Sequence, residues 1–500
     1  MKFVLSVLSL SLLFITACQS PSNGPALAEQ YCQSCHQLPL PEQLDQTTWS
    51  EHVLPRMRYF VGLDQIDPQS PPDWWEGGEA GQKVLQSGAF PQQAMMTERE
   101  WQVLHDYFVS NALAQLSVPD LGPIDSLSQF SLSLPAFRLG SPSTTLLQIP
   151  EQGGLILGDA NTQKAYFFDQ QLVLQQAAAT REAAVHVHET SAAYYLTVMG
   201  SFSPTDAPKG FLMALSKQAG QAKVLLPDLQ RPVHAEYADI DGDALLDILV
   251  SEFGKWSGGL AWWQGKPDGS FSKQVLRPVS GATQAFARDL NADGRLDVIA
   301  LFAQGEEGVF VFWNEGEEKF RSEQVLRFPP SSGSASMQLL DWDEDGQLDI
   351  LLSQGDNADY PPIVKAYHGL RLWHNEGEGR FAERFFLPLP GAYETEVHDF
   401  DGDGDQDIAA IAFFPDYKSE DTRSFVYYEN QGGNQFKAQS FAGLSQLGRW
   451  LVMDVGDIDQ DGDIDLALGS LAFEVPGQSS WTDLWQRQGI AFVVLENEWK

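Results

Sequence analysis

The chain has 500 residues, of which 43% are apolar and 11% aromatic, enough for a large hydrophobic core and for more than one domain. Its formal net charge of -37 argues against nucleic acid as a partner, because an acidic surface repels phosphate. It contains three cysteines, Cys18, Cys32 and Cys35, and each stands where a covalent attachment would use it, so none is left for a disulfide.

The first predicted element is an export signal in residues 1–17. Lys2 supplies one positive charge, and the apolar run that follows is too short for a permanent membrane span. Residues 15–18 then resemble the bacterial lipobox, in which the cysteine, here Cys18, is acylated and becomes the first residue of the mature protein. An ordinary secretory signal with an incidental cysteine is the alternative. The resemblance implies a lipid anchor to the membrane and a place in the bacterial cell envelope. Because Gln19 rather than Asp follows the cysteine, it implies an outer-membrane lipoprotein that faces the periplasm or the cell surface.

Residues 18–117 are predicted to form a small all-α domain that carries haem. Cys32, Cys35 and His36 fill the Cys-x-x-Cys-His pattern, in which two thiols add to the porphyrin vinyl groups and the histidine ligates the iron. A zinc half-site would need two more Cys or His at ligand spacing, and a thioredoxin-like dithiol would need a strand before the motif. The residues before Cys32 indicate instead the end of a short helix. We therefore predict covalent haem c as a cofactor and a cytochrome c-like domain.

The sixth iron ligand has several candidates. Met57 ends the segment "TTWSEHVLPRM", which resembles the stretch after Cys-x-x-Cys-His in a group of small cytochrome c domains, and the resemblance implies that Met57 is the ligand. Met95 or Met96, His52 and an open position remain alternatives. The two adjacent methionines precede a helix capped by Thr97. The apolar face predicted for that helix consists of Trp101, Leu104, Phe108 and Ala112.

After a linker at residues 118–125, the region 126–500 repeats an acidic loop five times. Side chains with oxygen atoms occupy positions 1, 3, 5 and 9 of each loop, an arrangement that suits one hard cation and favours calcium over softer metals. A glycine at position 6 allows a sharp turn in four loops, whereas Ala244 replaces it in the first. The predicted metal ligands are Asp239, Asp241, Asp243 and Asp247; Asp289, Asn291, Asp293 and Asp297; Asp341, Asp343, Asp345 and Asp349; Asp399, Asp401, Asp403 and Asp407; and Asp457, Asp459, Asp461 and Asp465.

These loops are not EF-hands. An EF-hand needs a glutamate at position 12 and flanking helices, whereas position 12 here is Val, Ala or Leu. Each loop runs directly into a short apolar segment such as "DILV", which predicts a buried strand. Four of the loops are followed by an aromatic strand and a polar turn, as in "VFVFWNEGEEKF". The loops are 50 to 58 residues apart, a spacing that suits one four-stranded propeller blade per repeat.

On these motifs, residues 126–500 resemble the FG-GAP or VCBS class of repeat. The resemblance implies an integrin-like, seven-bladed β-propeller with calcium between blade strands, in which the ion has a structural role. Residues 126–238 are long enough for two blades without the acidic loop, so five marked repeats bring the total to seven. Eight blades remain an alternative. We expect the final strand "IAFVVLEN" to pair with the segment "FSLSLPAFRLG", because an open ring would leave exposed edges.

The predicted fold class is therefore mainly β, a seven-bladed propeller preceded by a small all-α domain. His186, His188 and His234 could line the mouth of its central channel, but the sequence contains no recognisable hydrolase or dehydrogenase machinery, and we predict no catalytic residue. The function that we predict is electron transfer with an unknown redox partner, the propeller serving as a docking platform. The alternatives are an oxidoreductase that passes electrons to its own haem and a surface adhesion or glycan-binding protein. The oligomeric state stays open.

Overall fold

The computed structural model describes residues 23–218, 220–358, 363–473, 475 and 478–499, and Cys18 therefore lies outside the described residues. The helices are α1 (Gly24–Tyr31), α2 (Leu54–Phe60), α3 (Gly78–Ser87), α4 (Glu98–Asn111), α5 (Leu444–Leu447) and α6 (Ser479–Gln488); a 3₁₀ turn at Pro41–Gln43 and a π-helical segment at Thr48–Val53 accompany them. Within the described ranges, no helix is long and apolar enough to cross a membrane.

The N-terminal helices pack around one apolar core. α1 ends at Cys32, whose backbone N–H donates to the Ala28 carbonyl at 2.9 Å, as the sequence predicts. The predicted cap of α4 is confirmed, since the Glu100 backbone N–H donates to the Thr97 hydroxyl at 3.3 Å while the Thr97 N–H donates to the Glu100 carboxylate at 2.8 Å. α1 and α4 contact each other. The core residues are Leu27, Ala28, Leu44, Trp49, Val53, Leu54, Met96, Trp101, Leu104, Phe108 and Ala112.

The rest of the described chain is a propeller of seven blades, which confirms the predicted number. The blades, numbered 1 to 7 along the chain, contain β3 (Thr144–Gln148), β4 (Leu155–Asp159), β5 (Lys164–Phe168) and β6 (Leu174–Ala179); β7 (Ala184–Glu189), β8 (Ala193–Val198), β9 (Gly210–Ser216) and β10 (Ala222–Leu229); β11 (Pro232–Ala238), β12 (Asp247–Glu252), β13 (Gly259–Gly265) and β14 (Phe271–Arg277); β15 (Ala282–Arg288), β16 (Asp297–Phe302), β17 (Gly308–Asn314) and β18 (Phe320–Arg327); β19 (Ser334–Leu340), β20 (Asp349–Gln354), β21 (Gly369–Asn375) and β22 (Phe381–Pro388); β23 (Ala392–His398), β24 (Asp407–Ala412), β25 (Phe425–Asn430) and β26 (Phe436–Ser440); and β27 (Trp450–Gly456), β28 (Asp465–Ser470) and β29 (Phe492–Asn497).

The N-terminal end of the propeller closes the ring. β2 (Phe130–Ser133) is the fourth strand of blade 7, and it pairs antiparallel with β29, so that Phe130 lies opposite Asn497 and Ser133 opposite Val494. This is the closure that the sequence predicts. β1 (Asp125–Ser126) adds to the outer edge of blade 6 as a parallel strand beside β26.

Each blade is an antiparallel sheet whose first strand lines the centre of the ring, where the first strands of neighbouring blades contact one another. The second strands of blades 3 to 7 are buried at all six positions, which confirms the prediction of buried strands after the acidic loops. The acidic loops join first to second strands and therefore lie on one face of the ring. The loops from second to third strands lie on the opposite face.

The helical part packs against that opposite face. Trp256, in the loop between β12 and β13, lies with its ring centroid 5.5 Å from that of Trp74 and 5.6 Å from that of Phe60. The Lys255 ammonium donates to the Trp74 carbonyl at 3.1 Å. The Tyr367 hydroxyl, in the loop between β20 and β21, donates to the Gln43 carbonyl at 2.9 Å. The helices and the acidic loops therefore occupy opposite faces of the propeller.

Candidate haem and metal sites

The predicted haem-binding cysteines lie where α1 ends. Cys32 is partly buried against the helical core, whereas Cys35 is exposed, and both are free thiols. Burial, together with the neighbouring Cys35, raises the pKa of the Cys32 thiol to about 12. The adjacent turn touches the propeller, since the Arg327 guanidinium donates to the Gln33 carbonyl at 2.8 Å.

The geometry of His36 suits metal ligation through Nε2. Burial lowers the pKa of its imidazole, an effect that the Arg327 charge reinforces and the hydrogen bond with Gln37 opposes. Nδ1 lies 2.8 Å from the Gln37 carbonyl oxygen, so the neutral ring carries its proton on Nδ1 and donates it there. That tautomer leaves the lone pair of Nε2 for a metal, and a carbonyl on the other ring nitrogen is the usual partner of a metal-binding histidine.

The candidate sixth ligands occupy different environments. Met57, on α2, is partly buried and packs against the same apolar cluster as Cys32. Met96 is 4% exposed and is itself a member of that core, whereas Met95 is 46% exposed. His52 is half-buried in the π-helical segment. Of the three methionines, Met57 is therefore the one that shares its surroundings with the cysteine motif without filling the core or facing solvent.

The five acidic loops share one backbone geometry. The carboxylate at position 1 accepts the backbone N–H of position 6 at 2.9 to 3.1 Å in every loop. Position 6 is left-handed, with φ between 85° and 103° at the four glycines and 68° at Ala244. The sharp turn predicted at position 6 is confirmed, and Ala244 adopts there the left-handed backbone that glycine provides in the other four loops.

The aspartate at position 9 ties each loop to its blade. One carboxylate oxygen accepts the backbone N–H of position 2 at 3.0 to 3.3 Å. The other accepts a backbone N–H at the end of the third strand, at 2.7 to 3.0 Å. These aspartates are at most 3% exposed, and burial raises the pKa of Asp407 and of Asp465 to about 7. The position 9 aspartates are Asp247, Asp297, Asp349, Asp407 and Asp465.

The structure brings part of each predicted ligand set together. In four loops, three carboxylates offer oxygen atoms that lie within 4.8 Å of one another. These groups are Asp239, Asp241 and Asp247; Asp341, Asp343 and Asp345; Asp399, Asp401 and Asp407; and Asp457, Asp459 and Asp465. The position 5 aspartates of the other three of these loops, Asp243, Asp403 and Asp461, do not join the groups. Like Asp345, each of them accepts a backbone N–H two residues further along the chain.

The second loop differs from the others. Asn291 replaces an aspartate there, and the Arg295 guanidinium forms an ion pair with Asp293. Asp289 and Asp297 keep their backbone hydrogen bonds, so the loop retains its shape. Because this loop has less negative charge and its Asp293 already pairs with the Arg295 guanidinium, it is the weakest candidate for a metal among the five.

Sequence reasoning missed a structural role that recurs from blade to blade at the end of the third strand. In blades 4 to 7 this position is asparagine, whose side-chain amide donates to the carbonyl of position 8 of the loop at 3.0 to 3.2 Å. The available signal was the recurrence of Asn before the polar turn, in "WNEG", "HNEG", "ENQG" and "ENEW". The residues are Asn314, Asn375, Asn430 and Asn497.

The central channel carries half-buried acids that the sequence analysis did not single out. A cavity of about 380 Å³ is lined by residues of β15, β19 and β23, including Gln338, Glu394 and Glu396. The Gln338 amide donates to Glu396 at 2.9 Å, and Glu394 accepts the Met453 N–H at 2.7 Å. Desolvation at the channel wall raises the pKa of Glu394 to about 8 and that of Asp454 to about 7. Desolvation and the charges of Asp454 and Glu394 hold the pKa of Glu396 well above its ordinary value.

The three histidines predicted near the channel lie on the first strands of blades 2 and 3. His186 and His234 approach with ring centroids 4.6 Å apart, and His188 stacks on Tyr237 at 4.5 Å. Burial lowers the pKa of His186 to about 4, so its ring is neutral. None of the three joins a group of metal-ligating side chains within the described part of the chain.

Comparison with known families matches residues 239–300, 289–352 and 399–468 to the FG-GAP-like repeat, and these segments contain all five acidic loops. No curated protein matches the chain. Among solved structures, a streptogramin B lyase is 13% identical, with a TM-score of 0.47 over 74% of this chain and 98% of that chain. Virginiamycin B lyase from Staphylococcus aureus is 10% identical, with a TM-score of 0.43 over 73% and 98% of the two chains. The chain thus carries FG-GAP repeats in a seven-bladed propeller.

Proposed function

We propose that this FG-GAP-repeat propeller is fused to a monohaem c-type cytochrome domain and that the protein transfers electrons in the bacterial cell envelope. The observation that carries the proposal is the geometry of the Cys-x-x-Cys-His motif. Cys32 caps the C-terminal end of α1, and Cys35 lies in the turn that follows. The adjacent His36 directs its Nδ1–H to the Gln37 carbonyl, 2.8 Å away. Haem bound there would supply reversible one-electron transfer at its iron.

Each residue of the motif has a separate task in this proposal. The thiols of Cys32 and Cys35 would hold the porphyrin edge covalently, and the Gln37 carbonyl fixes the tautomer and orientation of His36. Met57 would offer its thioether from α2 as the sixth ligand, as proposed from the sequence. The helical core beside Cys32 and Met57 excludes water from that side of the motif.

We propose that the acidic loops are calcium clips, that is, loops whose bound calcium ion holds the turn between two strands in place. Four of them gather three carboxylates within 4.8 Å. In the fifth loop, partial burial and then the charges of the neighbouring acids, Asp461 foremost, raise the pKa of Asp463 to about 6. A bound divalent cation would relieve this repulsion and hold the turn between the first two strands of a blade. Because these loops lie on the face opposite the helices that carry the proposed haem motif, we propose that calcium there has a structural role and takes no part in electron transfer.

The cellular location follows from the N-terminal motif alone. Acylation of Cys18 would tether the protein to a membrane, and we propose the outer membrane, because Gln19 follows the cysteine. The redox partner is expected to be a protein of the same compartment. The face of the propeller beside the helices is the surface that we propose for its docking.

One observation favours a second candidate, an oxidoreductase that passes electrons to its own haem. The cavity of about 380 Å³ in the channel is large enough for a small substrate and has carboxyl groups in its wall. A redox titration of the haem, carried out with and without small-molecule electron donors, separates the candidates. A carrier gives one reversible one-electron transition and no catalytic reduction by small donors, whereas the enzyme is reduced catalytically by its substrate.

The first prediction concerns haem attachment. Mature full-length protein made in a bacterial host that matures c-type cytochromes should carry one haem that stays with the polypeptide in denaturant, detected by its absorption after denaturing electrophoresis. The double variant Cys32→Ala/Cys35→Ala should lose that attachment, because no thiol is then left to form a thioether with the porphyrin. Cys18→Ala is the control, since it should keep the haem and lose the lipid. A colourless wild-type protein from this host would contradict the proposal.

A further inference from the structure

One position beside the acidic loops changes its chemistry from blade to blade. It is the third-strand residue that lies opposite the position 9 aspartate. In blade 5, Ile350 pairs with Trp373, so the preceding Asp349 lies opposite the following His374. In blade 3, Ile248 pairs with Trp263, which likewise sets Asp247 opposite Gln264. The same register holds in the other marked blades. From blade 3 to blade 7 the residues at this position are Gln264, Trp313, His374, Glu429 and Glu496.

The side chain at this position reaches its loop in two of the blades. In blade 3, the Gln264 amide donates to Asp241 at position 3. In blade 5, His374 Nδ1 lies 3.6 Å from the Asp343 carboxylate, also at position 3, and 3.2 Å from the Asp349 carboxylate at position 9. In blade 4 the indole N–H of Trp313 instead donates to Glu323 at 2.8 Å, away from the loop.

Blade 5 therefore has two overlapping sets of metal-ligating atoms. One set is all oxygen, from Asp341, Asp343 and Asp345, and the other combines Asp343, Asp349 and His374. The second set includes the one nitrogen ligand found among the five loops in the described structure. Its N–O separations of 3.2 and 3.6 Å are close to the roughly 3.0 to 3.4 Å that separate neighbouring ligands around an ion at about 2.1 Å, the distance typical of zinc.

We propose that Asp343, Asp349 and His374 bind a divalent transition metal of the zinc class, which the other four loops do not bind. Imidazole nitrogen suits zinc and its neighbours, whereas calcium takes oxygen ligands. The partly exposed His374 leaves the ion open to solvent, which can complete its coordination. The inference deepens the proposed cation role of the loops, because it names the metal preference of one of them.

The test compares metal content in full-length protein. Wild type and His374→Gln are freed of metal with a chelator and dialysed against zinc in excess calcium, and both metals are counted by elemental analysis. Wild type should retain one more zinc per chain than His374→Gln, and the difference removes any zinc held elsewhere, including at the cysteine motif. His398→Gln is the matched control, since this exposed histidine belongs to none of the described metal-ligating groups and its loss should change nothing.

A second variant guards against misfolding of the first. Glutamine already occupies this position in blade 3, so His374→Gln should fold, and Gln264→His should conversely create a further zinc site beside Asp241 and Asp247. Equal zinc in wild type and His374→Gln, or no gain in Gln264→His if His374→Gln proves unfolded, would overturn the inference.

The calcium counts separate the two proposals. Calcium without a zinc difference overturns the zinc site alone. A zinc difference without bound calcium supports the zinc site and contradicts the calcium role.

Discussion

Left-handed backbone marks the turn of every acidic loop, at two positions rather than one. Position 6 is left-handed in all five loops, and so is position 4, where φ is 58° at Ala292, 60° at Glu344 and 66° at Gln460. A side chain at such a φ costs about 1 kcal/mol or more relative to glycine. The loops therefore hold strain at single residues, which the carboxylate hydrogen bonds to the backbone offset.

Ala244 is the residue where this strain can be relieved most simply. Because its φ is 68° while the equivalent glycines lie at 85° to 103°, Ala244→Gly should raise the stability of the propeller by about 1 kcal/mol. Thermal unfolding in the presence of calcium measures the change as a rise in the midpoint. The reciprocal variant Gly294→Ala, in the next loop, should lower the midpoint by at least as much. No rise in Ala244→Gly would mean that the first loop carries no strain.

The acidic loop together with its two flanking strands is the unit that the sequence predicted best. The glycine turn and the apolar run after each loop depend on residues close together in the chain, and both were confirmed. The predicted oxygen ligands come together only in part, as three carboxylates in each of four loops, and their role as calcium ligands stays a prediction. The hydrogen bond from the third strand to the position 9 aspartate was not predicted. In blade 3 its donor is the backbone N–H of Gly265, which lies on a different strand from Asp247. The position was assigned as a cation ligand, yet both of its oxygens also hold the blade together.

Other parts of the site depend on long-range packing. Glu394 and Asp454 lie on different blades, and no local motif announces that their strands meet at the centre of the ring. The same holds for Trp256, which meets Trp74 and Phe60 only because the helices pack on that face. The haem motif could be recognised because its three residues are adjacent in sequence, whereas the choice of Met57 as sixth ligand stays a prediction.

The proposed clip role of the loops can be tested on the fifth loop. Asp457→Asn keeps an oxygen that can accept the Gly462 N–H, which lies 3.1 Å away in the native protein, but it removes a negative charge from the ligand group. We expect the thermal midpoint to fall in calcium, by an amount equivalent to about 1–3 kcal/mol, because ion binding then stabilises the native state less. In excess chelator the variant should unfold at no lower a temperature than wild type, because the loss of one charge then relieves repulsion among the acids of the loop.

The outcome in chelator decides between two roles for this aspartate. Equal destabilisation with and without calcium would contradict the clip role and would show that Asp457 stabilises the loop through hydrogen bonds alone. Asp483→Asn, in α6 and outside all five loops, is the control for loss of one negative charge.

The molecule as a whole separates its proposed tasks in space. The helices lie on the face formed by loops between second and third strands, where tryptophan packing and hydrogen bonds join them to the propeller. The acidic loops lie on the other face. The proposed electron transfer and the proposed cation binding would therefore use different surfaces, and the inner strands between them carry the half-buried acids Glu394, Glu396 and Asp454.

These half-buried acids make the stability of the ring depend on pH. The pKa of Glu396 lies well above its ordinary value because of burial and because of the charges of Asp454 and Glu394. The folded state therefore holds a proton that the unfolded chain releases near pH 4.3, so its contribution is present below about pH 4 and is lost as the pH rises through the folded pKa. Stability should therefore fall as the pH rises above about 5, unlike that of a protein whose carboxylates form ion pairs.

Glu396→Gln removes the charge while keeping an oxygen for the Gln338 amide, which lies 2.9 Å from the native carboxylate. We expect the variant to be more stable than wild type at about pH 9, by about 2 kcal/mol, and nearly equal to it at about pH 5. Urea unfolding at the two pH values in saturating calcium measures the difference, and Glu420→Gln, an exposed acid in the loop between β24 and β25, should show no such dependence. A Glu396→Gln variant that is destabilised equally at both pH values would mean that Glu396 is ionised in the native channel and held there by hydrogen bonds or a bound cation.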